Sequence, residues 1–219
     1  MNVIEYNQFK ELIAQGHLVV DTRKSDFFGE SYIKGSVSIP FDENFIDAYD
    51  ELTEPDQKIL LVTEEAENTA IAKAIKAAGI ENTEGFLAGG FDAWKNADNK
   101  VDMLITIDAE EFKIDYQFDE FFLIDVRSKE EFAKDHAEDA ENIALNDLEQ
   151  ILIEFEAGDS YYVYANTITE AVTAGSVFKK IGFHRVRVVA ADYETIKKSG
   201  IPLFVKKKKD NAASKFSDN

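Results

Sequence analysis

The chain has 219 residues, 43 of them acidic and 24 basic, for a formal charge of −19 at pH 7. Its 45% hydrophobic and 31% charged residues are those of a globular protein, one large domain or two small ones. No residue is a cysteine, so these residues can form no disulfide, thiolate metal site or thiol nucleophile.

A short amphipathic helix is predicted over Asn7–Gln15, with Asn7 as its N-cap, followed by an apolar strand Leu18–Asp21. A brief strand over Val37–Ile39 and a helix over Asn44–Leu52 come next. Glu54-Pro55-Asp56 turns the chain into the strongest strand, Lys58–Val62. A helix from Glu67 to Ala78 stops at Gly79, which supplies a left-handed C′ residue. A strand over Thr83–Phe86 and a helix over Phe91–Lys95 close the unit.

The pattern then repeats. Leu18-Val19-Val20-Asp21-Thr22-Arg23 returns as Phe122-Leu123-Ile124-Asp125-Val126-Arg127, 104 residues later. Ile59–Val62 corresponds to Tyr162–Ala165, and the helix ending at Gly79 to one ending at Gly182. Two copies of this size indicate a domain duplication and not a solenoid, whose period is ~20–50 residues. The copies span 1–102 and 103–205, each with a charge of −11, and residues 206–219 form a Lys-rich tail expected to be disordered. Apolar strands alternating with helices imply an α/β fold with a parallel sheet flanked by helices in each copy. Such sheets bind ligands at the carboxyl ends of their strands, which here means the loops after Asp21, Val62, Asp125 and Tyr164.

The strand–Asp-x-Arg pattern, the loop after the central strand and Leu87-Ala88-Gly89-Gly90-Phe91-Asp92-Ala93-Trp94 resemble rhodanese (sulfurtransferase) domains, here arranged in tandem over about residues 5–203. Arg127–Phe132, His136 and Thr195–Leu203 carry the resemblance in the second copy. Ile59–Glu65 is similar to rhodanese domains fused behind metallo-β-lactamase-fold sulfur dioxygenases, which would make such a domain a possible partner. The resemblance implies a loop of the form Cys-x-x-Gly-x-Arg, in which a thiolate takes up sulfane sulfur while backbone amides and the arginine hold the anion. Counting back from Gly182 puts these positions at Ala165, Ile168 and Glu170. Counting back from Gly79 puts them at Val62, Glu65 and Glu67, or at Thr63 for the nucleophile if one residue is skipped. Both copies lack the nucleophile, and both carry an acid where the family has its cation.

Thr63 and Thr167 could replace the thiol only with an adjacent base, and neither loop contains a histidine, so their hydroxyls are read as loop caps. His17, His136 and His184 show no metal-ligand spacing, and Glu64-Glu65-Ala66-Glu67 is read as a solvated helix start; no metal or cofactor is expected. Asp21/Arg23 and Asp125/Arg127 are read as structural ion pairs, and Phe86, Phe91 and Trp94 as core aromatics. The surplus of acid opposes nucleic-acid binding. With no secretory signal and no run of ~18 apolar residues, a cytoplasmic protein without a membrane span is expected. Two functions remain open. One is a catalytically silent module that binds an unknown protein or small anion and acts in regulation or scaffolding. The other is a sulfurtransferase-type enzyme or the rhodanese part of a sulfur dioxygenase. The short stretch Asn96–Leu104 implies two docked domains, with Phe118, Phe121 and Phe122 available for the contact.

Overall fold

A computed structural model describes residues 1–97 and 99–206. The first copy runs β1 (Asn2–Ile4), α1 (Tyr6–Ala14), β2 (Leu18–Asp21), α2 (Ser25–Glu30), β3 (Tyr32–Ile33), β4 (Val37–Ser38), α3 (Phe45–Leu52), β5 (Ile59–Val62), α4 (Asn68–Ala77), β6 (Thr83–Leu87), α5 (Gly90–Asn96) and β7 (Val101–Asp102). The second runs β8 (Ile105–Ile107), α6 (Ala109–Phe118), β9 (Phe122–Asp125), α7 (Lys129–Phe132), β10 (Asp135–Ala137), β11 (Ala140–Asn142), α8 (Leu148–Leu152), β12 (Tyr161–Tyr164), α9 (Ile168–Lys180), β13 (Val186–Val189), α10 (Tyr193–Ser199) and β14 (Leu203–Val205). Each copy forms a five-stranded parallel sheet, in the order β1-β6-β5-β2-β4 and, equivalently, β8-β13-β12-β9-β11. Small antiparallel ribbons, β3–β7 and β10–β14, complete the units. Among the described residues no helix is long and apolar enough to cross a membrane.

The central strands are wholly buried because helices cover both faces, which explains their unbroken apolar runs. Two sequence expectations, the start of the first helix and the docking phenylalanines, need correction. Helix α1 begins at Tyr6 with Glu5 as N-cap, because Asn2–Ile4 is already committed to pairing with β6 and the chain must turn immediately after it. Asn96–Leu104, expected as a short, non-flexible linker, carries structure of its own: Val101 and Asp102 pair with Ile33 and Tyr32, and the Leu104 amide donates to the Gly29 carbonyl at 3.0 Å. Phe118, Phe121 and Phe122 do not dock the domains: Phe118 is 79% and Phe122 43% exposed, while Phe121 packs beside Phe112 and Tyr162 in the second core.

Helix α9 makes the contact between domains. Residues 171–178 are all buried, against their own sheet on one side and against α2 and β4 of the first domain on the other. Small side chains at Ala171, Ala174, Gly175 and Ser176 permit this double approach; a Cβ on Gly175 would stand 2.4 Å from Val188 Cγ2. The Ser176 hydroxyl accepts the outward amide of Ser38 at 3.0 Å, so the sheet edge at β4 is completed across the domain boundary. Of the tail expected from residue 206 onward, only Lys206 is described, its amide donating to the Lys134 carbonyl at 3.0 Å; the remainder lies outside the described residues.

Candidate functional site

Both copies bring the same elements together at the carboxyl ends of their strands. Arg23 grips Asp21 through Nε at 2.9 Å and Nη2 at 2.6 Å, and Arg127 grips Asp125 through Nε at 3.0 Å and Nη2 at 2.7 Å. Each guanidinium also donates to a carbonyl eight residues on, that of Ser31 or of Asp135. Its face lies over an aromatic ring, Phe91 at 3.9 Å and Tyr193 at 3.4 Å. All four charged residues are buried. Burial pushes the Asp21 carboxyl up, against the pull of Arg23. Burial also opposes the Arg127 charge, but Asp125 outweighs it and keeps the guanidinium charged. With these contacts the arginines hold the loops in place.

In the first copy the chain leaves β5 through buried Val62 and Thr63. The Thr63 hydroxyl donates to the side-chain oxygen of Asn68. Gly90 presses on this loop with φ +57°, and a Cβ there would lie 2.7 Å from the Thr63 carbonyl oxygen, so the position requires glycine. Glu65–Glu67 then form a 3₁₀ turn without a side-chain cap, with Glu64, Glu65 and Ala66 exposed. Among the described residues no three His, Asp or Glu side chains are grouped to hold a metal. His136 is stacked between Phe132 and Phe204.

The second copy is built differently. Ala165 is buried at 1% exposure, and only Asn166 and Thr167 separate it from α9. Thr167 Oγ1 accepts from the Glu170 amide at 3.2 Å while Glu170 Oε2 accepts from the Thr167 amide at 3.1 Å, a reciprocal capping box. Ile168, counted from sequence as a loop position, is the first helical residue, and the Glu170 carboxylate faces the helix's own amides. A six-residue anion loop therefore does not form at 165–170. The signal Thr-x-x-Glu was present in the sequence. Less visible were the bond from Asn166 Nδ2 to Glu131 Oε1 at 3.0 Å and that from the Tyr193 amide to the Asn166 carbonyl at 3.2 Å. Burial raises the Glu131 carboxyl, but bonds from Ser128 and Asn166 outweigh this and hold it below the ordinary carboxylate range. Beside the start of α9 a cleft of about 290 Å³ opens toward α3, with Asp42, Asp47, Glu51 and Glu170 in its walls. That wall repels anions.

A duplicated parallel α/β domain with a buried Asp–Arg pair at the end of one sheet strand defines the class of protein. Residues 5–97 and 108–199 each match the rhodanese-like domain, and the chain belongs to that family. No curated protein matches it. Among solved structures it is similar to a rhodanese-like domain from Anabaena sp., with 22% identity over 53% of this chain and 91% of that one, TM-score 0.46. It is also similar to a full-length protein from Lactobacillus plantarum, with 25% identity over 47% of this chain and 88% of that one, TM-score 0.42. A thiosulfate sulfurtransferase from Pseudomonas aeruginosa aligns with 94% of this chain and 44% of its own length, at 14% identity and TM-score 0.42.

Proposed function

We propose that this tandem rhodanese-like chain is catalytically silent and acts as a binding, regulatory or scaffolding module. One observation carries the reading: the position equivalent to the nucleophile is a buried alanine, and none of the 219 residues is a cysteine. Sulfane-sulfur transfer needs a group that can become a persulfide, and neither alanine, valine nor a threonine without a base can. Two further features support it. The helix start that would hold an anion is closed by Thr167 and Glu170, and the adjoining cleft is walled by carboxylates. Thiosulfate:cyanide transfer is the test. Turnover equal to a protein-free blank is expected, and activity above it that persists through repurification overturns the proposal.

A further inference from the structure

The second domain carries an exposed apolar patch at the amino ends of its strands, at the end of the sheet away from the loop that begins at Ala165. Phe118, the last residue of α6, is 79% exposed, and Ile114, one turn before it, 58%. Ile105 at the start of the edge strand β8 is 50% exposed, and Phe122 at the start of β9 43%. Ile105 and Phe118 line a cleft of about 500 Å³ together with Glu120, His184, Arg185 and Arg187. Arg187 is already engaged there, its Nη1 and the Tyr162 hydroxyl both donating to Asp115 at 3.0 and 2.8 Å. Arg185 donates to the Gly158 carbonyl at 3.0 Å, and among the described residues Arg185, His184, Asp119 and Glu120 have no ion-pair partner.

The first copy shows that the fold does not require this patch. Leu18 pairs with Ile59 as Phe122 pairs with Tyr161, and the Ile59 amide donates to Asn82 as that of Tyr161 donates to Arg185. Phe118, Asp119, His184 and Arg185 therefore correspond to Ala14, Gln15, Glu81 and Asn82, with neither an aromatic nor a cation among them. The placement of cations is equally uneven. Of the chain's four arginines, Arg23 and Arg127 are held by their buried aspartates, and the other two are in this one cleft.

An exposed aromatic knob, a cleft beside it and unpaired charges of both signs make the patch complementary to itself. A basic partner would find more acid elsewhere on a chain of charge −19, and an acidic one would meet Asp119 and Glu120. A second copy brings both signs at once. We propose that this patch is a two-fold interface between copies of the chain, in which each Phe118 enters the partner's cleft and Arg185 faces the partner's Glu120, the pair occurring twice by symmetry. Because the contact lies at the ends of the strands remote from the degenerate loops, its failure would leave the silent-loop reading intact, and a positive sulfur-transfer assay would leave the interface standing.

The test is sedimentation velocity of the full chain from micromolar to submillimolar concentration, where a reversible monomer–dimer equilibrium is expected. Phe118→Asp should weaken association at least about tenfold, the effect of losing one buried aromatic side chain, with dichroism and melting unchanged because the ring is in solvent in the monomer. Arg185→Glu and Glu120→Arg each set like charges against one another at both symmetric contacts, so each variant alone should be monomeric. Mixed in equal amounts they should form a heterodimer, since each then supplies the charge that the other has lost. A monomer over the whole concentration range, a dimer unaffected by Phe118→Asp, or a mixture no more associated than its separate components would each overturn the proposal.

Discussion

Ser176→Ala tests how the two domains are held together. The Ser176 hydroxyl accepts the Ser38 amide at 3.0 Å and donates to the Thr173 carbonyl at 2.6 Å, and both serines are fully buried. Alanine removes the acceptor and leaves the outward N–H of an edge strand facing an apolar helix. An orphaned buried donor costs about 1–3 kcal/mol, whereas the lost methylene-sized volume is negligible. For a chain of this length each kcal/mol lowers Tm by about 2–4 °C, so a drop of about 2–12 °C is expected. Trp94 is the single tryptophan and lies in the first domain, so its fluorescence reports on that domain while far-ultraviolet dichroism reports on both. In the wild type the two should melt together, because one apolar cluster runs from Val37 and Ile39 through Val172 and Val177. Ser25→Ala is the control: its contact with Thr169 is 3.4 Å long, and its loss should be within about 0.5 kcal/mol. If Ser176→Ala melts within about 1 °C of wild type, or no lower than Ser25→Ala, the hydrogen bond across the boundary does not hold the domains.

Arg127→Ala leaves the fully buried Asp125 carboxylate unpaired and should cost about 3–5 kcal/mol; the double variant Asp125→Ala/Arg127→Ala should recover part of it, which denaturant unfolding can read. Glu131→Gln should destabilise by less than about 1 kcal/mol at pH 7, given its solvent exposure. Because the folded Glu131 carboxyl sits below its ordinary 4.5, its contribution is present above that pH and is lost as pH falls through the folded value, so the wild-type and variant stability curves should converge in acid. Ala165→Cys should remain inactive in sulfur transfer, and its thiol should react with a disulfide reagent only as fast as the domain opens, because position 165 is 1% exposed; rapid native-state labelling would contradict the geometry.

The unbroken apolar runs at Leu18–Asp21 and Ile59–Val62 made the central strands and the duplication legible, since a strand buried on both faces has no polar positions to blur it. Gly79 marked a helix end for the same kind of local reason, its φ of +73° being open to glycine without strain. What escaped notice depends on partners distant in sequence. Tyr32–Ile33 and Val101–Asp102 are strands of two residues, too short for any period, and exist because they pair with each other. The role of α9 was hidden by its composition. A helix covered on both sides needs small residues, so Ala171, Ala174, Gly175 and Ser176 replace the apolar stripe that announces an ordinary amphipathic helix. The phenylalanines near the start of the second copy looked more suited to docking, yet their position at the end of α6 and the edge of β9 turns two of them to solvent.

Counting from Gly79 and Gly182 pointed to the loops after Val62 and Tyr164, but residue types alone could not tell how each loop is built. The decisive quantity is which group satisfies the first free amides of the following helix. At equivalent positions, the second copy has Thr167 and the first has Glu64. The short hydroxyl of Thr167 reaches back to the Glu170 amide, and the chain enters α-helix at Ile168. Glu64 makes no such bond, and the corresponding residues, Glu65–Glu67, form a 3₁₀ turn before α4 begins at Asn68. Packing reinforces the difference. Helix α9 is clasped between two domains along residues 171–178, so its start is fixed by its body, whereas α4 buries only Ile71 and Ile75. Both loops lack the same chemical groups, yet they have done so through different backbone solutions: one leaves acidic side chains in solvent, the other turns its acid onto its own helix. The asymmetry follows from the docking, because among the described residues the surface that closes over α9 in the second copy has no counterpart over α4 in the first.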